Sequence, residues 1–431
     1  MRVLSADWVV PVEGGPLRDG AVAIGDDGRI VAVGPAQELG EGERFPECVI
    51  LPGFVDAHSH LEYAVYRGFG DGLPFADWIA LHVARKRRLD LAQMEASARL
   101  GALECLRSGI TTVGDASFAG AAAAACAELG LRAIVYLEVF GEREDALDRF
   151  HEIRERIAGA LSERVRLGVS PHAPYTCSLD VYRACAELGL PTTTHLAESD
   201  REREYLLTGS GPWGAFADLL VPAPGATGVR ALAEAGLLGP RLLAAHCVAV
   251  DEEEIALLAE HDVAVAHCPR SNGLLACGVA PLAALREAGV RVAIATDSPA
   301  STPSFDMFDE MRAAILAARA RERRPDALAA AEALELATLG GARALGLETE
   351  VGSLVPGKQA DLTVLSLAGT PFLPWEDPVT ATVLGGSPER VVATLVSGET
   401  RYEKGGKAWH ELIGAARSAR ARLLSPAART S

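Results

Sequence analysis

No C-x-x-C pair occurs in this sequence. Its eight cysteines, Cys48, Cys105, Cys126, Cys177, Cys185, Cys247, Cys268 and Cys277, are scattered singly, most of them in apolar runs that bury free thiols. A disulfide framework and a zinc knuckle are both disfavoured. No G-x-G-x-x-G loop follows the first strand-like run, which argues against a doubly wound dinucleotide-binding sheet. The amino terminus, MRVLSADWVVPVEGG, has neither a long apolar segment behind a basic start nor a small-residue cleavage site, so neither signal peptide nor membrane anchor is expected and a cytoplasmic location follows. Bases are in deficit: 41 against 58 acids give a formal charge of -17, which repels phosphate backbones and anionic headgroups. Nucleic acid and membranes are thereby set aside as partners, and a small-molecule substrate remains.

What is present is an ordinary globular composition, 49% apolar and 23% charged over 431 residues, enough for a sizeable core. AVAIGDDGRIVAVG reads as two strands joined by a DDG turn. From about residue 50, eight β-branched runs alternate with helical stretches: VILPGFVDAHSH, GITTVGDAS, RAIVYLEVF, RVRLGVSPH, LPTTTHLAES, RLLAAHCVAV, DVAVAHCPR and VRVAIATDS. MEASARLGALECLRS, EDALDRFHEIRERIAGAL and DEEEIALLAEH carry the apolar spacing of covering helices. The expectation is an α/β chain, a (β/α)8 TIM-type barrel over 51–346. After residue 345 short strands return, and residues 347–412 are expected to join residues 1–50 in a small β-sandwich domain, since neither fragment alone buries a face. Residues 413–431 read as a last helix or a frayed tail.

His58 and His60 stand at i and i+2 on the first barrel strand, sharing one face at the carboxyl end where barrel active sites are built. Taken alone, an H-x-H pair favours an ordinary structural role. The other strand ends change the balance: His172 ends the fourth, His195 the fifth with Glu198 beyond, His246 the sixth and Asp297 the eighth. Five of ten histidines thus fall at one mouth. Imidazoles with one carboxylate suit Zn2+ or Fe2+ rather than Ca2+, and three His with an Asp leave a position for water. Alternation in LAAHCV and AVAHCP turns Cys247 or Cys268 toward the helices if the neighbouring His faces the lumen. His267, Arg270, Ser271 and Asn272 are expected to support the site. Phe75 and Trp78 are candidate walls for a planar ring. His82, His151, His261 and His410 read as structural, and SDREREYLL as a solvated helix face.

The motifs PGFVDAHSH, LPFADW, SPHAPYTCS, HLAES, AAHC, HCPRSN and ATDSPAS, in that order, resemble the amidohydrolase superfamily, in its chlorohydrolase and adenosine-type deaminase branch, over essentially the whole chain. The resemblance implies His58, His60, His195 and Asp297 as metal ligands, Glu198 and His246 beside the bound water with Asp297 sharing the proton transfers, His172 facing the substrate ring, and a homodimer as the assembly to expect. Binuclear relatives bridge their ions with a carbamylated lysine on strand four; lysine occurs here only at Lys86, Lys358, Lys404 and Lys407, so one divalent ion is expected, zinc before iron. The phrases around the site are most similar to aminodeoxyfutalosine deaminases of the menaquinone route and to methylthioadenosine or adenosylhomocysteine deaminases. Nucleoside-binding relatives often carry an acid two residues before the Trp of LPFADW to hold ribose hydroxyls, where this chain has Ala76. A free purine or pterin base is the alternative substrate, a chlorohydrolase or cyclic amidase the alternative chemistry, and a non-catalytic scaffold the reading least compatible with so complete a ligand set.

Overall fold

The computed structural model describes residues 1–143, 145–369, 376–406 and 408–424. Among them the strands form two sheets. Strands β1 (Arg2–Val9), β2 (Leu17–Ile24), β3 (Ile30–Pro35) and β4 (Glu43–Pro52) come from the amino-terminal segment. The eight runs that follow form a parallel sheet in chain order: β5 (Phe54–Ser59), β6 (Ile110–Ser117), β7 (Arg132–Val139), β8 (Val165–Pro171), β9 (Thr192–Leu196), β10 (Leu242–His246), β11 (Ala264–His267) and β12 (Arg291–Ile294). Its ends meet through a bridge between Ser59 and Asp297, where the Asp297 N–H donates to the His58 carbonyl at 2.9 Å. The sheet is a closed barrel with helices outside, as expected.

Period-two side chains separate its two faces. On β7, Ile134 and Tyr136 share one cluster with Val55 and Ala57 of β5, Leu243 of β10, and Ala264 and Ala266 of β11, strands that only the lumen brings together. Val135, Leu137 and Val139 pack the other way, among the helices. Cys247 packs outward, opposite to its neighbour His246, although Leu243 of the same parity faces the lumen. Cys268 does not: it belongs to the lumen cluster with Ala264 and Ala266. The expected orientation is reversed on β11, because there the odd-numbered residues, Val265 and His267, are the ones turned away.

The carboxyl-terminal strands β13 (Leu362–Ser366), β14 (Val391–Val396) and β15 (Glu399–Glu403) complete the second sheet, in the order β15-β14-β13-β4-β1-β2-β3. Both chain ends are therefore needed for it. Its core includes Leu4, Val22, Ile50, Leu362 and Leu395. The buried Arg132, at the start of β7, grips Asp361 in two hydrogen bonds of 3.0 and 3.1 Å and ties barrel to sheet. The last helix, Ala408–Leu424, buries Ala416, Ala419 and Leu423; the tail beyond it lies outside the described residues. No described helix is long and apolar enough to cross a membrane.

Candidate active site

Barrel strands end at a common mouth, and the short loops leaving them carry the polar groups. His58 lies on β5, with His60 just past it; His195 and His246 lie on β9 and β10, and Asp297 follows β12. His60 Nε2 approaches His195 Nε2 to 3.3 Å, and Asp297 Oδ1 lies 3.5 Å from His60 Nε2 and 3.6 Å from His58 Nε2. The rings of His60 and His195 are nearly parallel, and His58 stands edge-on to both at 4.9 Å.

This arrangement makes poor sense as a set of hydrogen bonds. His60 Nδ1 donates to the Ala116 carbonyl at 2.9 Å and His195 Nδ1 to the His172 carbonyl at 2.8 Å, so each Nε2 is left as a bare lone pair facing the other. Both nitrogens of buried His58 lack any partner. Burial holds the His58 and His60 imidazoles down to about 3, hence neutral, which is the form a metal binds. A divalent ion taking one nitrogen each of His58, His60 and His195 and an oxygen of Asp297 would give the facing Nε2 lone pairs a common partner, and the ligand atoms of His58, His60 and Asp297 already lie within 4.8 Å of one another, so the residues fit the group. Asp297 is oriented from behind by Ser271 at 2.5 Å and Ser301 at 3.0 Å, both donating to Oδ2.

Glu198 and His246 share the cavity. Glu198 Oε1 lies 3.7 Å from His246 Nε2, and burial pushes the Glu198 carboxyl up to about 8, opposed by His195 and helped by Asp297. His246 Nδ1 donates to the Asn272 amide oxygen at 2.9 Å, which leaves Nε2 as an acceptor without a protein partner. His172 Nδ1 bonds Thr176 Oγ1 at 2.8 Å, freeing its Nε2 for the cavity. The backbone here is unusual: Ala197, His246, Cys247 and Asp297 all have positive φ, at 51°, 77°, 47° and 60°. Such conformations cost roughly 1–3 kcal/mol each for non-glycine residues and cluster where side chains must be re-aimed.

The cavity measures about 790 Å³ with its open mouth, within the range of small-molecule sites. His60, His172, His195, Glu198, His246 and Asp297 all line it. Phe75 and Trp78 line its wall from the helix Phe75–Lys86, together with Ile79, Val83 and Phe216. Ser271 and Asn272 support Asp297 and His246, whereas His267 does not reach the cavity and Arg270 is engaged by Glu310.

His82, read as structural, lines the cavity beneath Trp78, its ring 4.6 Å away, because the helix turns positions 75, 78, 79, 82, 83 and 86 to one side. Lys86 reaches the cavity wall beside His172, so lysine is not absent near the fourth strand; its Nζ lies over the Phe118 ring at 3.9 Å, within aromatic surroundings rather than between metal ligands. The run SDREREYLL is not wholly solvated: Glu202 is fully buried and accepts from the Ala197 and Glu198 amides at 2.9 and 2.8 Å. The Ser199 side chain accepts from the Glu202 N–H, and the S-x-x-E spacing at this helix start was the signal available for it.

The amidohydrolase family model matches residues 49–401. A 5'-deoxyadenosine deaminase of Methanothermobacter thermautotrophicus is 34% identical over 408 residues, covering 91% of this chain and 92% of the relative. A 5-methylthioadenosine/S-adenosylhomocysteine deaminase of Moorella thermoacetica is 36% identical, over 92% and 93% of the two chains. Among solved structures, an adenosine deaminase from Xanthomonas campestris with bound zinc superposes with a TM-score of 0.87 at 30% identity, covering 98% of each chain. An atrazine chlorohydrolase from Arthrobacter aurescens complexed with zinc gives 0.82 over 97% of this chain and 100% of its own, but at 22% identity that likeness speaks for the fold alone. With its barrel, its His/Asp cluster and this similarity along nearly its full length, the chain belongs to the amidohydrolase family of hydrolytic enzymes.

Proposed function

We propose that the protein is a hydrolytic deaminase of adenine nucleosides, zinc-dependent and cytoplasmic. The observation that carries this reading is one cavity lined by His60, His195 and Asp297, with His58 buried beside them, and by Glu198, His246 and His172. The names of relatives 34% and 36% identical over nine-tenths of the chain support the adenine ring.

A divalent ion, when bound, supplies a Lewis acid that makes water nucleophilic near neutral pH. Replacing a ring amine by oxygen also requires a proton on the ring nitrogen, which makes the neighbouring carbon electrophilic. Glu198, whose carboxyl burial raises to about 8, takes a proton from the water as it adds and delivers it to the ring nitrogen. His246, with Nδ1 fixed by Asn272, uses Nε2 to accept a hydrogen bond from the attacking water and orient it. His172 faces the ring. Asp297 receives the remaining proton and passes it to the amine. One water enters, the C–N bond breaks, ammonia leaves and the ring keeps the oxygen as a carbonyl.

Aminodeoxyfutalosine, which would place the enzyme in the menaquinone route, heads the assay panel, with 5'-deoxyadenosine, methylthioadenosine, adenosylhomocysteine and adenosine beside it. Ammonia release from at least one of them by zinc-loaded protein, lost after chelation and in Glu198→Gln, is the expected result. Metal-loaded protein that leaves every adenine nucleoside untouched would sink the proposal and direct the search to free purines, pterins and chlorotriazines.

A further inference from the structure

Ala76 offers a sugar no hydrogen-bond acceptor, and the chain supplies one from another element. On β7 the inward residues Ile134 and Tyr136 are followed, two positions on, by Glu138 at the carboxyl end of the strand. Glu138 is 3% exposed, lines the cavity, and its Oε2 has no hydrogen-bond partner. A buried carboxylate oxygen without a donor is costly, so the site asks for a ligand that brings one.

Lys86, the last residue of the helix Phe75–Lys86, lines the same cavity. Its Nζ sits over Phe118 at 3.9 Å, with Tyr63 at 5.2 Å and Phe140 at 5.8 Å. Among the described residues it makes no hydrogen bond and no ion pair, although the charges of Glu138 and Glu62 attract it. The Phe140 ring lies 4.7 Å from His172, which lies 4.7 Å from His195. A base held against His172 therefore has room for its substituent at Phe140, beside Lys86 and Glu138.

The chemistry of that substituent is constrained from both sides. A carboxylate or phosphate would meet the unpartnered oxygen of Glu138, and an ammonium would meet Lys86. A neutral vicinal diol donates and accepts at once, and satisfies both. We propose that Glu138 and Lys86 bind the sugar diol of the substrate, Glu138 accepting from its hydroxyls and Lys86 donating to a hydroxyl oxygen, so that the enzyme selects ribonucleosides. This rests on the deaminase reading given above.

The test compares kcat/KM for adenosine, 2'-deoxyadenosine, 3'-deoxyadenosine and 2',3'-dideoxyadenosine on the zinc-loaded wild-type enzyme, where no variant has to fold. Removing both hydroxyls should lower kcat/KM by roughly 100-fold or more, because the site's polar groups are then left unpaired. In Glu138→Gln and Lys86→Met the adenosine-to-dideoxyadenosine ratio should collapse by at least about tenfold, carried mainly by KM. Equal use of all four nucleosides by the wild type, or variants that lower every substrate alike and keep the ratio, would overturn the sugar contact and leave the deaminase reading standing. Silence with all four and with the wider panel would overturn both.

Discussion

Glu202 commits both carboxylate oxygens to backbone, accepting from Ala197 and Glu198, and so fixes the turn that presents Glu198. Glutamine at this position keeps the shape but has only one acceptor oxygen, leaving one of those amides without its partner. Glu202→Gln should lower kcat about 10–100-fold with bound metal unchanged, the size of effect seen when the supports of catalytic ligands are removed; zinc content measured beside kcat checks it, and an unaltered kcat would show that the turn holds itself. At this scale the ligand candidates were legible because strand ends mark the mouth of a barrel, and His58, His60, His195, His246 and Asp297 all sit at such ends. Glu202, Glu138 and Lys86 were not singled out. Each is a charged residue within a stretch that reads equally well as solvated surface or helix, and only the packed barrel turns it inward.

The strands themselves were plain in the sequence: all eight barrel runs appear, since fully buried parallel strands read as continuous apolar segments. Their faces were harder. His246 reaches the cavity although its β10 neighbours Leu242 and Ala244 pack outward, because its φ of 77° breaks the alternation. No periodicity forecasts that. The wall helix Phe75–Lys86 was represented in the sequence only by Phe75 and Trp78 as candidate ring walls, and which of its sides meets the cavity depends on the loop that delivers it. The join between barrel and sheet was likewise invisible, since Arg132 and Asp361 stand far apart in the chain. Cutting that pair by Asp361→Asn leaves a buried guanidinium with only Glu350, 4.0 Å away, as counter-charge, and should destabilise the protein by roughly 3–5 kcal/mol. Chemical denaturation measures this, and a loss below about 1 kcal/mol would mean that solvent replaces the bond freely.

Over the whole molecule, buried titratable groups set the pH range. Burial holds His267 down to about 4, whereas the unfolded chain binds its proton near 6.5. Between those values the unfolded state takes up a proton that the folded state refuses, so this contribution is complete above 6.5 and is lost as pH falls toward 4. Glu310, pushed up to about 8 by burial, acts in the opposite sense, and its contribution is lost as pH rises from about 4.5 through 8. His267→Gln removes one of the acid-sensitive groups; its melting temperature should fall less steeply than that of the wild type between pH 6.5 and 4. Parallel curves for the two proteins would mean that His267 is not held neutral.

The strand order of the smaller sheet has a consequence for synthesis. β4 is made early, together with its neighbour β1, but its other neighbour β13 leaves the ribosome only after the entire barrel. Throughout that interval the nascent chain carries an unsatisfied strand edge with an apolar face, the kind of surface that recruits other chains. Translation speed through the barrel, and whatever shields β4 meanwhile, thus govern how much of this protein reaches its native state.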